Sequence, residues 1–471
     1  MRTKRLIAGG VAAVVTAGLV SVTMTAQADT KEPPPALAEF LQTKMDELAF
    51  QEVLDLDPPT QATTQATAKA KAKATVDKEA APRVKGLAAA AAEPISQQPQ
   101  IDATVLELDR HGRITGSATV LMSPQYQHGV VVPVDANHHT TAVRWRQWDD
   151  AGWYANQAQG TIDIVPGRED AELDFMSPYP ASVLKLMVNF GVLRLVDQGQ
   201  ITLADTYAYN PSPISSLCGG ASSDTIGNYV DKSLTESSNA ATCALVKMLH
   251  DRGAIDGLNQ AFQDLGLETL QLKNTNPVNG GRWGNPVTMS SLDTAKLLSV
   301  INGGAGTLWT TPAGVPVTKN VLSSASRKLF MSKLGQQGWN WMLSTPNYCG
   351  RDYPAAGIPQ KVADRWIAAD GTVTVAGEAF GEDVRPCNAA AEVTFAHKPG
   401  WVNNTGSDAG IVKSLPGKAG RHYIIAVFSN LGDQYTDPNR PATPPGTVPV
   451  EYTEKFAKLG AAVDQYEAAR N

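Results

Sequence analysis

The sequence predicts an α+β protein: a helical region packed on an antiparallel sheet, preceded by a linker expected to be disordered. Three observations carry that expectation. Residues 29–100 are poor in aromatic side chains and rich in Ala, Lys, Thr, Gln and Pro, with Ala-Lys repeats over 68–74. Such a composition buries too little apolar surface to offset its ordering entropy. After Glu172 apolar residues recur with helical spacing. Strands then return at 393–396, 409–412 and 422–429, separated by Gly/Asn-rich and Pro/Gly-rich turns, as in an antiparallel meander.

Taken in order, the chain opens with Arg2, Lys4 and Arg5 before an uncharged run over 6–28 that ends Ala26-Gln27-Ala28. This is the pattern of a secretory signal peptide cut after Ala28, so residues 1–28 are set apart from the fold. An uncleaved membrane anchor is the alternative, because the run is just long enough to span a bilayer. No cysteine lies near the cut to carry a lipid. Within the linker, 37–54 reads as a short amphipathic helix. Lys69, Lys71 and Lys73 could touch an anionic envelope polymer, although a solvated face is the simpler reading.

Residues 101–171 form a β-rich segment with runs at 104–108 and 130–134. It is either a separate module or the first strands of the main sheet. Trp145, Trp148 and Trp153 lie close together in it; a packed aromatic core explains them better than a glycan-stacking surface. Residues 172–471 read as the main domain. Helices are expected over 182–198, 240–250, 257–265, 290–301 and 324–334. A final one over 450–469 places Phe456, Leu459, Val463 and Tyr466 on one face.

Bulk properties bound the function. The 471 residues can hold more than one domain, and a net charge of −6 creates no field that would collect phosphate backbones. Nucleic acid is therefore not an expected partner. The four cysteines, Cys218, Cys243, Cys349 and Cys387, all fall in the exported part, where disulfides persist. They allow three pairings; closeness in sequence favours Cys218 with Cys243 and Cys349 with Cys387, which spacing alone does not decide. No Cys-Xaa-Xaa-Cys pair and no histidine spacing suits a metal, and no cofactor is implied.

The chemistry centres on Ser182-Val183-Leu184-Lys185, the one Ser-Xaa-Xaa-Lys of the chain. Serine at the first turn of a helix and lysine three residues on share a face, about 5–6 Å apart at Cβ. A neutral amine there can take the hydroxyl proton. A surface serine beside a solvated lysine is the ordinary alternative. Ser237-Ser238-Asn239, the one Ser-Xaa-Asn, leads into the helix expected from 240, where it would also serve as an N-cap. Lys398-Pro399-Gly400 comes third. Lys-Xaa-Gly recurs at Lys333, Lys418 and Lys458, and only the strand run before it singles out Lys398.

In that order the three motifs resemble those of serine β-lactamases and penicillin-binding proteins. The stretches 179–185, 236–241 and 396–401, with Ser407-Asp408-Ala409-Gly410 behind them, look like the class A versions. The resemblance covers about 172–471. It implies a β-lactamase/transpeptidase-like fold with a five-stranded antiparallel sheet beside the helices and the site between them. It also implies roles: Ser182 as nucleophile, Lys185 as base, Ser237 as proton relay and Asn239 as partner of the substrate amide. Lys398 would attract the substrate carboxylate within the Lys398-Pro399-Gly400 strand, and the backbone N–H groups of Ser182 and Trp401 would stabilise the oxyanion. His397 is read as structural.

The pattern departs from the family in three places. Class A β-lactamases carry a glutamate between the second and third motifs that activates the deacylating water, yet residues 269–292 contain no Asp or Glu. Glu236 and Glu378 remain as candidates by elimination. Pro399 replaces a hydroxyl residue and suits only an edge or irregular strand. The second and third motifs also stand unusually far apart, with the excess expected between Tyr348 and Asn388, where a Cys349–Cys387 bond would close a loop near the cleft. The expected activity is that of an exported or envelope-bound serine hydrolase, acylated at Ser182 by β-lactams or D-alanyl, peptidoglycan-like substrates and slow to deacylate. A D-alanyl carboxypeptidase or esterase and a non-catalytic envelope-binding protein are the alternatives.

Overall fold

The computed structural model describes residues 36–58, 92–352, 355–450 and 452–470. The signal-peptide reading over 1–28 and the Ala-Lys repeats over 68–74 lie outside the described residues. No helix among the described residues is long and apolar enough to cross a membrane.

The central sheet is built from β1 (Ile101–Leu108), β2 (Ile114–Met122), β3 (Val130–Val131), β4 (Val393–Val402), β5 (Thr405–Ser414) and β6 (His422–Ser429). They run in the order β4-β5-β6-β1-β2-β3, every neighbouring pair antiparallel. The sheet thus has one strand more than the five expected, the extra one being the two-residue β3 at its edge. Of the β-rich segment, β1 to β3 belong to this sheet. Gln159–Asp163, Val143–Trp148 and Leu173–Met176 form a second, three-stranded sheet in that order.

Alternation along the strands makes the central sheet two-faced. Ile424, Ala426 and Phe428 join one core, and Tyr423, Ile425 and Val427 the other. The first core takes the apolar faces of α2 (Lys185–Asp197), α3 (Ile226–Thr235), α4 (Asn239–Asp251), α5 (Ile255–Asp264), α6 (Ser291–Asn302) and α7 (Ser324–Leu334). The second is closed by α1 (Leu37–Glu47) and α8 (Glu454–Ala469), whose Phe456, Leu459, Val463 and Tyr466 are buried as their spacing predicts. The result is an α+β architecture, a sheet between two helical layers.

Two elements depart from expectation. Helix α3 was not foreseen, because Gly227 and Asn228 weaken its first turn, yet Ile226, Tyr229, Val230 and Leu234 are buried and Thr225 caps it. The linker reading over 29–100 is also interrupted at both ends. In α1, Leu37, Leu41 and Met45 are buried, and Leu54–Asp55 pairs with both Glu93–Pro94 and Tyr435–Thr436. These apolar residues have a partner surface in the second face of the sheet, which local composition does not reveal. Trp145, Trp148 and Trp153 are buried core residues.

Candidate active site

Ser182 lies in a 3-10 turn, Ala181–Leu184, that runs directly into α2. Its predecessor Ala181 has φ +46, a left-handed backbone that costs an L-residue energy and that surrounding contacts must impose. Two of those contacts come from the sheet. A Cβ built on Gly400 of β4 would lie 2.5 Å from the Ser182 amide nitrogen and 2.8 Å from that of Val183, so only glycine lets the strand approach this closely. The Ser407 hydroxyl of β5 donates to Pro180 O at 2.8 Å and to Gly400 O at 3.1 Å, tying the serine turn to both strands.

Lys185, the first residue of α2, is fully buried. Its Nζ donates to Ser182 Oγ at 2.7 Å, to Asn239 Oδ1 at 2.6 Å, and to Ser237 O and Oγ at 2.8 and 3.0 Å. Lys398 Nζ reaches the same Ser237 Oγ at 2.9 Å from across a separation of 161 residues, and also donates to Pro399 O at 2.7 Å. One hydroxyl is thus held between two lysines. Ser237 has φ +56. Ser238 is the N-cap of α4, accepting from Ala241 N, so the capping role belongs to it while Asn239, one residue on, faces Lys185.

The structure brings Ser182, Lys185, Ser237, Asn239, Lys398 and Gly400 into one cluster. Trp401 follows Gly400 at the end of β4, half-buried, its ring edge-to-face on Trp341 at 4.0 Å. Pro399 lies in the edge strand of the sheet, where its missing N–H is tolerated. His397 is fully buried, with Nδ1 2.8 Å from Asp408 Oδ1 and Nε2 3.1 Å from Asn340 Oδ1, a structural setting. The disulfides formed are Cys218–Cys243 and Cys349–Cys387.

The acid-free segment 269–292 does reach this cluster, and what it presents is an indole. The ring of Trp283 lies 5.5 Å from Lys185 Nζ, held by its own N–H to Gly280 O. Glu236 is half-buried, and burial pushes its carboxyl up, with Asp231 adding to the effect. Its backbone oxygen accepts from Trp339 Nε1 at 2.7 Å. Glu378 sits in a two-residue strand of the loop closed by Cys349–Cys387. Trp283, Trp339 and Ser407 were not singled out as site residues from the sequence. Trp283 carries a signal as the one aromatic of the acid-free segment 269–292, and Ser407 as the start of the Ser407-Asp408-Ala409-Gly410 stretch. Among the described residues no group of His, Cys, Asp and Glu is placed to hold a metal ion.

Residues 175–348 match the family described as the beta-lactamase enzyme family, and in this segment the chain is similar to that family. No curated protein matches the chain. Among solved structures it is similar to PBP-A at 17% identity, covering 87% of this chain and 97% of that one, with a TM-score of 0.41. It is similar also to a β-lactamase from Sphaerobacter thermophilus DSM 20745, at 15% identity with 87% and 99% covered and a TM-score of 0.39. A third is a β-lactamase from Chitinophaga pinensis DSM 2588, at 18% identity with 62% and 86% covered and a TM-score of 0.36.

Proposed function

We propose that this chain is an exported serine hydrolase of the penicillin-recognising kind, acylated at Ser182 by β-lactams or D-alanyl amides and slow to release the acyl group. The observation that carries the reading is the convergence of Lys185 Nζ on Ser182 Oγ, Ser237 Oγ and Asn239 Oδ1. In the acylation step an uncharged Lys185 amine accepts the Ser182 proton across this contact. The Ser182 oxygen bonds to the substrate carbonyl carbon, and the Ser182 and Trp401 amides take the oxyanion. The carbon–nitrogen bond then breaks as Ser237 passes a proton to the leaving nitrogen, giving a Ser182 ester. Lys398 attracts the substrate carboxylate, and Asn239 aligns the side-chain amide.

Slow deacylation follows from what stands beside Lys185. An indole from Trp283 cannot deprotonate a water, and residues 269–292 supply no carboxylate. This favours the penicillin-binding form of the reading over that of an efficient β-lactamase. The two disulfides and the N-terminal Arg2 to Ala28 pattern support an exported location, where D-alanyl, peptidoglycan-like substrates occur.

The test mixes the protein with a chromogenic β-lactam and with a fluorescent penicillin, beside Ser182→Ala. One equivalent of product followed by a persistent covalent label on Ser182, absent from the variant, is the expected result. Sustained turnover removes the slow-deacylation part. No label on Ser182 from β-lactams or simple esters overturns the enzyme reading.

A further inference from the structure

Five consecutive residues after α7 touch the site's supports one after another. Gln337 Nε2 donates to Leu234 O at 2.8 Å, Gly338 N to Thr235 O at 2.8 Å and Trp339 Nε1 to Glu236 O at 2.7 Å. Asn340 Oδ1 lies 3.1 Å from Nε2 of His397, the neighbour of Lys398, and the Trp341 ring packs on Trp401 at 4.0 Å. A helix leaves its last carbonyls unsatisfied. Here donors from 337–339 meet three consecutive carbonyls at and just beyond the end of α3, and the next residue is Ser237 in its left-handed conformation. The brace is closely packed at Gly338. A Cβ on Gly338 would lie 2.6 Å from Val375 Cγ1, a residue of the loop closed by Cys349–Cys387.

We propose that Trp339 is a positioning residue. Its indole N–H holds the Glu236 carbonyl so that the Ser237 hydroxyl stays between Lys185 and Lys398. The inference rests on the acylation reading above. If the carbonyl is released, Ser237 is free to relax from φ +56, and the hydroxyl leaves the position from which it serves both lysines. Lys398 keeps its bond to Pro399 O, so its attraction for the substrate carboxylate is retained and substrate affinity does not change.

The test compares the full chain with Trp339→Phe and Trp366→Phe. Trp366 Nε1 also donates to a backbone carbonyl, Gln336 O at 2.8 Å, but to one that does not lead to Ser237. Labelling by a fluorescent penicillin over a concentration series separates the dissociation constant from the limiting acylation rate, and the series is repeated across pH. Trp339→Phe is expected to lower the limiting rate about ten-fold, to leave the dissociation constant unchanged and to move the pH midpoint of the rate. Trp366→Phe is expected to keep both rate and midpoint while losing similar thermal stability. Equal rates and midpoints in the two variants overturn the inference alone. An unlabelled wild type overturns the acylation reading and the inference with it. Should Trp339→Phe not fold, Trp339→Tyr, which also lacks the indole N–H to Glu236 O, is read in its place with the same outcomes.

Discussion

Lys185 and Lys296 are both fully buried, and each lies beside an indole, Trp283 at 5.5 Å and Trp309 at 4.9 Å. Their remaining partners differ in kind. Lys185 meets the Ser237 carbonyl, an amide oxygen and two hydroxyls, one hydroxyl belonging to the serine on its own turn and the other shared with Lys398. Lys296 meets the Gly266 carbonyl and His139 Nδ1, each at 3.2 Å. The other nitrogen of His139 faces Thr310 O, which can only accept, so that nitrogen carries the proton and Nδ1 accepts from the lysine. Lys296 therefore ties the turn before β-rich residues 143–148 to α6 without touching a hydroxyl it could activate. Burial of a lysine beside an aromatic ring is common to both places; a movable proton on a neighbouring serine is found only at the first.

The largest expected effect tests that difference directly. Lys185→Met should slow penicillin labelling of Ser182 by about 10³-fold, the scale of a lost general base, whereas Lys296→Met should leave the labelling time course as in wild type. Equal slowing by both would break the comparison.

A second effect concerns how α6, the helix that carries Lys296, is anchored. Both oxygens of the fully buried Asp102 accept from Ser291, one from its N–H and the other from its hydroxyl, at the first turn of α6. Burial raises the Asp102 carboxyl to about 7. The folded state then holds a proton that the unfolded state releases, so the stability Asp102 contributes is complete below about pH 4 and lost as pH rises to about 7. The loss is on the order of 4 kcal/mol. Urea denaturation from pH 4 to 8 should show this fall in wild type and a flatter profile in Asp102→Asn, with Ser182 labelling unaltered.

The smallest effect has the opposite slope. Burial holds the Lys296 ammonium below its ordinary value, with Asp293, Asp135 and Glu268 opposing the shift. Its contribution is therefore present above the unfolded lysine value, about pH 10.4, and lost as pH falls through the folded one. Wild type should gain stability on the alkaline side where Lys296→Met does not, measured by urea denaturation between pH 7 and 10. An identical alkaline limb would show that Lys296 is as well solvated by its partners as in water.

Local rules made much of this molecule legible. Helical spacing over 182–198 put Ser182 and Lys185 on one face, and the structure has them 2.7 Å apart. The apolar stripe of α8 and the run of β6 were equally readable. Each involves residues within a few turns of one another or a single face-forming period. Helix α3 escaped because Gly227 weakens its first turn and tertiary burial of Ile226, Val230 and Leu234 overrides that weakness. Helix α1 could be read as amphipathic, but nothing local announced that the second face of the sheet would take it up.

The sequence by itself therefore determined the serine–lysine pair, the missing acid in 269–292 and the α+β class, since each is a matter of residue type and short-range period. Only the tertiary structure decided that Lys398 reaches Ser237 across 161 residues, that Trp283 is what stands beside Lys185, and that Trp339 holds the carbonyl before Ser237. The physical reason is that these contacts are fixed by how strands and helices stack. A hydrogen bond between distant segments leaves no periodic trace in either one.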